Sequence, residues 1–296
     1  MYATSESASG GTAADRHAAV EYSTDAEWAG HLVSFVRAGL DRDEQVRYFA
    51  DATTPGRVTR TLVDGGIDAP AAVRRGQLVV TTAAETYLAG DRFDPDAMIG
   101  LWWQSVRDAA AQGYRGLRAI GEMSWGTREI AGAERLLEYE LRIHHEVFER
   151  LPLRACCFYD RRRVPADALE VLAAAHLARS GSAACPGEPG LSVAPLAGPP
   201  GFRLSGSAGW ENRRVTAAAA AALSASPAED VTLDLSALDH LDVGALTDIA
   251  RAALRRPSDT PVRLLGGPPA LHRLLELFPE LGAGTELGAG TETTGR

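Results

Sequence analysis

Apolar and polar residues in the first part of the chain follow two alternating patterns. Residues 17–22 and 45–50 are short, nearly continuous apolar runs, which are typical of buried strands. Between them, residues 26–40 repeat apolar side chains at helical spacing, with Trp28 and Leu32 one turn apart on the same face. The pattern therefore predicts a strand, an amphipathic helix and a second strand.

The same alternation continues as far as residue 176. The predicted strands cover residues 17–22, 45–50, 78–82, 117–123 and 154–160, and the predicted helices cover residues 26–40, 57–66, 94–113, 131–151 and 165–176. Strands that alternate with helices form a mostly parallel, doubly wound sheet in an α/β fold. Such sheets bind ligands beyond the carboxyl ends of their strands.

A second, smaller α/β pattern follows Gly201. Its predicted strands begin at Gly201, Val231 and Val262, and its predicted helices cover residues 215–223, 244–256 and 270–278. Because this pattern repeats the strand–helix alternation with its own apolar positions, we expect a second domain with its own core.

Changes in composition mark the boundaries of these two domains. Residues 1–16 are polar and rich in Ser, Gly and Ala, which predicts a disordered leader. Residues 179–200 are dense in Gly, Pro, Ser and Ala and are interpreted as a linker, and residues 289–296 are interpreted as a tail. The predicted domains are therefore 17–178 and 201–288.

Composition and charge exclude several classes of protein. The 296-residue chain has a formal net charge of −9 and no long basic run, so we expect no nucleic-acid partner. No apolar stretch approaches the roughly 20 residues of a membrane span, and residues 1–16 do not resemble a signal peptide. The three cysteines lack the paired spacing of a zinc site or a disulfide framework. We expect a cytoplasmic protein with no membrane partner, no metal and no cofactor.

Motifs for common enzyme chemistries are missing from the sequence. The segment after the first predicted strand, residues 23–27, contains neither Gly nor Lys and carries two carboxylates, which argues against a phosphate-binding loop and ATP hydrolysis. No Gly-x-Ser-x-Gly nucleophile elbow is present. His144 and His145 are adjacent in a predicted helix and point about a third of a turn apart, so we expect a partly exposed helix rather than a shared metal.

Acidic and aromatic residues follow three of the predicted strands. These residues are Tyr22, Glu85, Tyr87, Glu122, Met123 and Trp125. Since the carboxyl ends of parallel strands are the usual place for a ligand, one interpretation is a shared pocket lined by acids and aromatic rings. The alternative is that the aromatic side chains pack at the rim and the acids cap helices.

The N-terminal domain resembles the MEDS family of sensory domains. The similarity spans about residues 15–178 and is carried by the strings HAAVEYS, RGQLVVTTAAETYLAGDRFDPDAM, GYRGLRAIGEMSWG and AERLLEYELRIHH. The resemblance implies a RecA/KaiC-like doubly wound sheet without nucleotide chemistry, and a role in sensing an unidentified small-molecule ligand. The candidate ligand-binding positions that match the family are His17, Tyr22, Glu85, Tyr87, Glu122, Met123, Trp125, Glu138 and Glu140.

The C-terminal domain resembles the STAS family of anti-sigma-factor antagonists. The string DLSALDHLDVGAL, residues 234–246, carries this similarity. The resemblance implies a smaller α/β fold that binds a partner through Ser236, Asp242, Val243, Gly244 and Ala245. The family has a phosphorylatable hydroxyl after the aspartate, whereas Val243, Gly244 and Ala245 have none. We therefore expect partner binding without the phosphoserine switch.

These observations favour a regulator over an enzyme. The leading hypothesis is a sensory adaptor whose N-terminal domain senses a small-molecule or redox signal and whose STAS-like domain binds an anti-sigma factor or related kinase. The alternative is an enzyme or nucleotide-binding protein that uses Glu122 as an acid/base in the strand-end pocket. A DNA-binding regulator is a third possibility, but no helix-turn-helix pattern with basic recognition residues is evident.

Overall fold

A computed structural model describes residues 16–181, 190–257 and 260–288 of the chain. The strands of the first unit are β1 (His17–Tyr22), β2 (Gln45–Ala50), β3 (Leu78–Thr82), β4 (Leu117–Glu122), β5 (Leu153–Asp160) and β6 (Ala178–Gly181). Its helices are α1 (Asp25–Leu40), α2 (Pro55–Asp64), α3 (Ala69–Arg74), α4 (Pro95–Ala111), α5 (Leu136–Ile143) and α6 (Ala166–Ala174). Short 3₁₀ turns at Ser124–Thr127 and Ala133–Arg135 precede α5, and a π-helical turn at His144–Phe148 continues it.

The first unit is a doubly wound sheet. Its six strands are all parallel, in the order β3-β2-β4-β5-β1-β6. Helices α1, α2 and α3 cover one face, which we call the α1 face, and α4, α5 and α6 cover the other, the α4 face. Cys156 belongs to the core of the α1 face and Cys157 to that of the α4 face, because successive residues of a strand point to opposite sides. The predicted α/β fold is confirmed.

Local chemistry explains why α1 begins where it does. The Thr24 hydroxyl accepts from the Glu27 N–H at 3.2 Å, and the Glu27 carboxylate accepts from the N–H groups of Ser23 at 2.7 Å and Thr24 at 3.2 Å. This capping box uses backbone donors at the start of α1 that would otherwise be available to an anion.

The second unit is a five-stranded sheet with helices between its strands. Its elements are β7 (Leu191–Pro195), β8 (Gly201–Ala208), α7 (Arg213–Ala225), β9 (Thr232–Leu241), α8 (Val243–Leu254), β10 (Val262–Leu265), α9 (Pro269–Leu277) and β11 (Thr285–Gly288). The strand order is β11-β10-β9-β8-β7, and β7 is antiparallel to β8 while the other pairs are parallel. Gly201 has φ 146°, and a Cβ there would lie 1.8 Å from the carbonyl oxygen of Thr232, so glycine is required where β8 meets β9.

The structure differs from the predicted boundaries at both ends of the linker. Residues 178–181 form edge strand β6, and residues 191–195 form edge strand β7, so strands occupy parts of the predicted linker 179–200. In β7 the buried residues Leu191, Val193 and Pro195 alternate with half-buried ones, a period-2 pattern that the Gly- and Pro-rich composition obscured. Residues 182–189 of the linker, 1–15 of the leader and all of the predicted tail 289–296 lie outside the described residues.

Helix α5 belongs to both units, which corrects the prediction of a partly exposed helix. All eight of its residues are buried. Leu137 and Leu141 lie in the core of the second unit, where α5 packs against α7, whereas Tyr139 and Ile143 lie in the core of the α4 face. The helix is therefore covered on both sides. Among the helices of the described residues, none is both long and apolar enough to span a membrane.

Candidate functional site

The predicted site residues divide between the two faces of the first sheet. Tyr22 belongs to the core of the α1 face, with its ring 6.0 Å from that of Phe158. Met123 and Trp125 belong to the core of the α4 face. The residues at the strand ends therefore do not share one pocket, because alternate side chains leave a strand on opposite sides.

Glu122 is fully buried on the α1 face, and the loop after β2 wraps around its carboxylate. Oε2 accepts the backbone N–H groups of Asp51, Ala52 and Thr53 at 2.7, 2.7 and 2.9 Å. Oε1 accepts the hydroxyl groups of Tyr48 and Thr53. Three successive N–H groups form an anion-binding concavity, and here the chain's own carboxylate fills it. These contacts are those of a structural group that holds the loop in place.

Two further predicted acids also have local structural partners. Glu85 is exposed and accepts from the Thr82 hydroxyl at 2.8 Å and the Thr82 N–H at 3.1 Å, and these hydrogen bonds lower the pKa of the Glu85 carboxyl. Glu138 is buried and pairs with Arg135 at 2.8 Å and with Arg142 at 3.1 Å. Neither carboxylate faces the aromatic cavity described next.

A small enclosed cavity lies within the α4 face. Its volume is about 20 Å³, which is room for one water-sized guest. Aromatic rings make up much of its wall, namely those of Phe49, Tyr87, Phe93, Trp102, Trp125 and Tyr139. Met123, His17 and Cys157 also line it, together with four residues of β4 and β5, namely Ala119, Gly121, Ala155 and Cys156. The predicted residues His17, Tyr87, Met123 and Trp125 therefore do share one cavity.

Four buried side chains with metal-binding or reactive atoms meet beside this cavity. We call them the Glu140 cluster: His17 from β1, Glu140 from α5, Cys157 from β5 and His176, which follows α6. His17 Nε2 lies 3.3 Å from Glu140 Oε2 and 3.4 Å from Cys157 Sγ. His176 Nε2 lies 3.5 Å from the same Glu140 oxygen, and Cys157 Sγ lies 3.8 Å from it.

Burial sets the protonation of the Glu140 cluster. It lowers the pKa of both His17 and His176 to about 3, so both imidazoles are neutral at pH 7. It also raises the pKa of the Glu140 carboxyl, and it raises the pKa of the Cys157 thiol well above its usual range. The Tyr159 hydroxyl donates to Glu140 Oε1 at 3.3 Å and orients that carboxyl group.

Comparison with known families identifies the first unit. The profile of the family described as "MEthanogen/methylotroph, DcmR Sensory domain", or MEDS, matches residues 16–177, more than half of the chain. The chain belongs to the MEDS family. No curated protein matches it. The match ends before β7, so the family assignment applies to the first unit, hereafter the MEDS domain.

Two members of the Glu140 cluster were missing from the predicted site of the MEDS domain. Cys157 was left out because the three cysteines lack the paired spacing of a zinc site, and His176 was not considered. His17 begins β1, and Cys157 lies on the neighbouring strand β5, two residues beyond Ala155, the register partner of His17. The pairing of β1 with β5 is a property of the fold, so no signal in the sequence alone points to this contact. His176 comes after α6, and only tertiary packing brings it against the other three residues.

A second histidine group lies at the π-helical turn of the MEDS domain. Donor atoms of His144, His145 and Glu149 lie within 4.8 Å of one another. The two imidazole rings are 4.6 Å apart and nearly perpendicular, which is closer than the predicted α-helical geometry suggested. His145 Nε2 also lies 3.2 Å from both the N–H and the carbonyl oxygen of Gly201, so this group adjoins the second unit.

Four of the predicted partner-binding residues of the second unit lie at the start of α8, namely Asp242, Val243, Gly244 and Ala245. Asp242 caps this helix, and its Oδ1 accepts from the Ala245 N–H at 2.7 Å. Gly244 lies in the first turn, and Val243 beside it is 47% exposed. Ser236 is instead on β9, where its hydroxyl donates to Asp234 at 2.6 Å.

An exposed tryptophan adds to this surface and was not predicted. Trp210 is 77% exposed and lines a shallow groove together with Asp242 and Gly244. The Arg213 guanidinium lies over its ring at 5.9 Å. Exposed aromatic and apolar side chains beside a helix end are typical of protein-binding surfaces.

Proposed function

We propose that this protein is a sensory adaptor. In this proposal the MEDS domain receives a small-molecule or redox signal, and the second unit binds a regulatory partner such as an anti-sigma factor or a related kinase. The observation that carries the proposal is the double role of α5. This helix supplies Glu140 to the buried cluster and supplies Leu137 and Leu141 to the core of the second unit.

The cavity of about 20 Å³ limits the kind of signal. A guest of a few atoms fits without rearrangement, and a larger ligand requires the aromatic wall to move. Cys157 lines the cavity and also contacts His17 and Glu140, so the redox input in this proposal is a small peroxide that oxidises this thiol to a sulfenic acid and is itself reduced to water. Both inputs act on the same side chains.

Helix α5 offers a short route from that input to the second unit. Glu140 and Leu141 are consecutive residues, so a displacement of one shifts the other. Closely packed cores respond to such shifts by moving whole elements rather than by deforming continuously. The contact between His145 and Gly201 ties the end of the same helical segment to the first residue of β8.

The start of α8 is the proposed output surface. The sequence of the second unit resembles the STAS family, and in this proposal the exposed side chains of Val243 and Trp210 contact the partner. Because residues 243–245 lack a hydroxyl group, phosphorylation there cannot control binding. In our proposal, control therefore comes from the MEDS domain through α5.

We favour this function over the alternative of an enzyme or nucleotide-binding protein. That alternative relied on Glu122 as an acid/base, but both oxygens of this carboxylate accept hydrogen bonds from the surrounding chain. A general acid/base needs an oxygen within reach of the substrate.

Substitutions at the two ends of α8 test the output surface. The full-length protein is titrated with purified anti-sigma-factor kinases of the source organism, and affinities are measured by calorimetry. Val243→Asp should weaken binding by at least about tenfold, because it places a charge in the contact. Leu254→Arg is the control: Leu254 is 62% exposed at the far end of the helix, and both new charges suit the helix dipole. Equal affinities for wild type and Val243→Asp, or no binding by any kinase, would contradict the proposal.

A further inference from the structure

The Glu140 cluster has the dimensions of a tetrahedral metal site. The four donor atoms lie within 4.8 Å of one another, and the closest pairs are 3.3, 3.4, 3.5 and 3.8 Å apart. Metal–ligand bonds of about 2.0–2.3 Å at tetrahedral angles place ligand atoms about 3.3–3.7 Å apart. The side chains therefore need little movement to surround an ion.

One metal-binding atom of the cluster, Nε2 of His176, makes no hydrogen bond among the described residues. The side chain of His176 is 0% exposed. Its Nδ1 lies 2.9 Å from the carbonyl oxygen of Leu172, which can only accept, so Nδ1 carries the hydrogen and Nε2 keeps its lone pair. A backbone carbonyl that orients an imidazole in this way is the usual outer partner of a metal-bound histidine.

The mixture of donors limits which ions suit the site. Two imidazole nitrogens, a carboxylate oxygen and a sulfur form a set that Zn²⁺ accepts in tetrahedral geometry, and that Co²⁺ accepts in its place. The carboxylate and the thiolate also balance the charge of a divalent ion, which removes the cost of burying an unpaired carboxylate. When the metal–sulfur bond forms, the thiol proton leaves to solvent.

We propose that His17, Glu140, Cys157 and His176 bind a divalent transition-metal ion, with Zn²⁺ the best fit. The site goes beyond the sensory-adaptor proposal and does not depend on it, since the geometry is the same whether or not the second unit binds a regulator. The adjoining aromatic cavity shares His17 and Cys157 with the site, so a small guest in that cavity lies directly beside the ion.

Cobalt provides a direct probe of the four ligands. The full-length reduced protein is freed of metal with a chelator and titrated with Co²⁺, and the bound metal is counted by elemental analysis. We expect one Cys157-dependent ion per chain, with the intense visible bands of tetrahedral cobalt and a near-ultraviolet thiolate-to-cobalt charge-transfer band. Absence of the charge-transfer band at saturating Co²⁺ overturns the proposal.

The neighbouring cysteine supplies a matched control. Cys157→Ser should abolish the charge-transfer band and weaken Co²⁺ binding by at least about tenfold. Cys156→Ser makes the same change one residue away, on the opposite face of β5, and should leave both unchanged. A charge-transfer band that survives in Cys157→Ser would show that another thiol is responsible and would disprove the assignment.

The second histidine group is the main competitor for the metal. His176→Gln should weaken binding to the same extent as Cys157→Ser, whereas His144→Gln should leave the charge-transfer band intact. Binding that is lost in His144→Gln and retained in His176→Gln would overturn the proposal. Zn²⁺ should raise the melting temperature of wild type and not that of Cys157→Ser. This shift is independent of any partner, so it separates failure of the metal site from failure of the adaptor function.

Discussion

Two fully buried glutamates lie on opposite faces of the MEDS sheet, and their surroundings differ sharply. Glu122 accepts five hydrogen bonds, three of them from consecutive backbone N–H groups. Glu140 accepts two long hydrogen bonds, from the Tyr159 hydroxyl at 3.3 Å and the Cys157 thiol at 3.8 Å, and otherwise faces two imidazoles. Both carboxyl groups are 0% exposed, so burial alone does not distinguish them.

The number of hydrogen-bond donors around a buried carboxylate distinguishes a structural acid from a functional one. A buried charge is tolerated when hydrogen bonds replace its lost hydration, and Glu122 meets that condition with donors that cannot easily leave. Glu140 does not, and burial raises the pKa of its carboxyl group. A buried carboxyl group that accepts few hydrogen bonds, and that lies beside imidazole and thiol groups, can still bind a further ligand such as a metal ion.

The largest expected effect comes from removing the charge of Glu122. In Glu122→Gln an amide NH₂ replaces one oxygen opposite several donors, so we expect a loss of about 2–4 kcal/mol in the free energy of unfolding. The matched substitution Glu140→Gln, measured with a chelator present, should change it by less than about 1 kcal/mol, because only two long hydrogen bonds, from Tyr159 and Cys157, are affected. Denaturant titrations of both variants check this. A larger loss for Glu140→Gln than for Glu122→Gln would reverse the comparison.

Two tyrosines sharpen the comparison at the level of single hydroxyl groups. Tyr48 donates to Glu122 and accepts from Trp28 Nε1 at 3.0 Å, so Tyr48→Phe leaves the buried Trp28 N–H unsatisfied and removes one of the five hydrogen bonds to Glu122. This change should cost about 1–2 kcal/mol. Tyr159→Phe removes one long hydrogen bond to Glu140 and should cost about 0.5–1 kcal/mol. Equal losses in thermal or chemical unfolding would mean that the two carboxyl groups are equally dependent on their donors.

The smallest effect is expected at Asp51, whose backbone contributes to the Glu122 loop while its side chain does not. Burial raises the pKa of the Asp51 carboxyl above 3.8, although Arg128 opposes the shift. The folded protein then holds this proton more tightly than the unfolded chain, so the side chain loses stabilising value as pH rises from 3.8 through the folded pKa.

Asp51→Asn removes the titrating carboxyl, and with it the decrease in stability as pH rises, but keeps the backbone N–H that Glu122 accepts. At about pH 7 the variant should match wild type within about 0.5 kcal/mol, because loss of the pair with Arg128, which is 54% exposed, is offset by removal of the cost of burying a charged carboxylate. The free energy of unfolding of the variant, relative to that of wild type, should be lower at about pH 4 than at about pH 7. Unfolding free energies at both pH values test the sign, and a trend in the opposite direction contradicts the assignment.

Much of the MEDS fold could be predicted because its strands are apolar and continuous. Strands β1 to β5 were predicted from their apolar runs, and the long helices from helical spacing such as that of Trp28 and Leu32 in α1. Strand β6, with the sequence ARSG, has no apolar pattern, and it is held by its ladder with β1 and by ion pairs from Arg179 to Glu21 and Glu170. These partners are distant in the sequence, so the residues of β6 alone do not predict a strand.

The site was predicted less completely than the fold. Met123, Trp125 and Tyr87 were predicted to lie together at the end of the sheet. The face of the sheet to which the side chains of neighbouring residues point was not predicted. Glu122 and Met123 are adjacent in sequence, yet they lie on opposite faces. His176 entered the cluster through the packing of α6, which no spacing along the chain reveals.

Helix α5 also has a consequence for how this chain can be divided. A fragment that ends where the family match ends, at residue 177, would expose Leu137 and Leu141 to water, because their packing partners in α7 and the second sheet would be missing. Such a fragment would expose an apolar surface on α5 and would therefore tend to self-associate. The intact chain should melt in a single transition, since neither unit can unfold without opening the core that contains α5. The boundary of the family is therefore not the boundary of the folding unit.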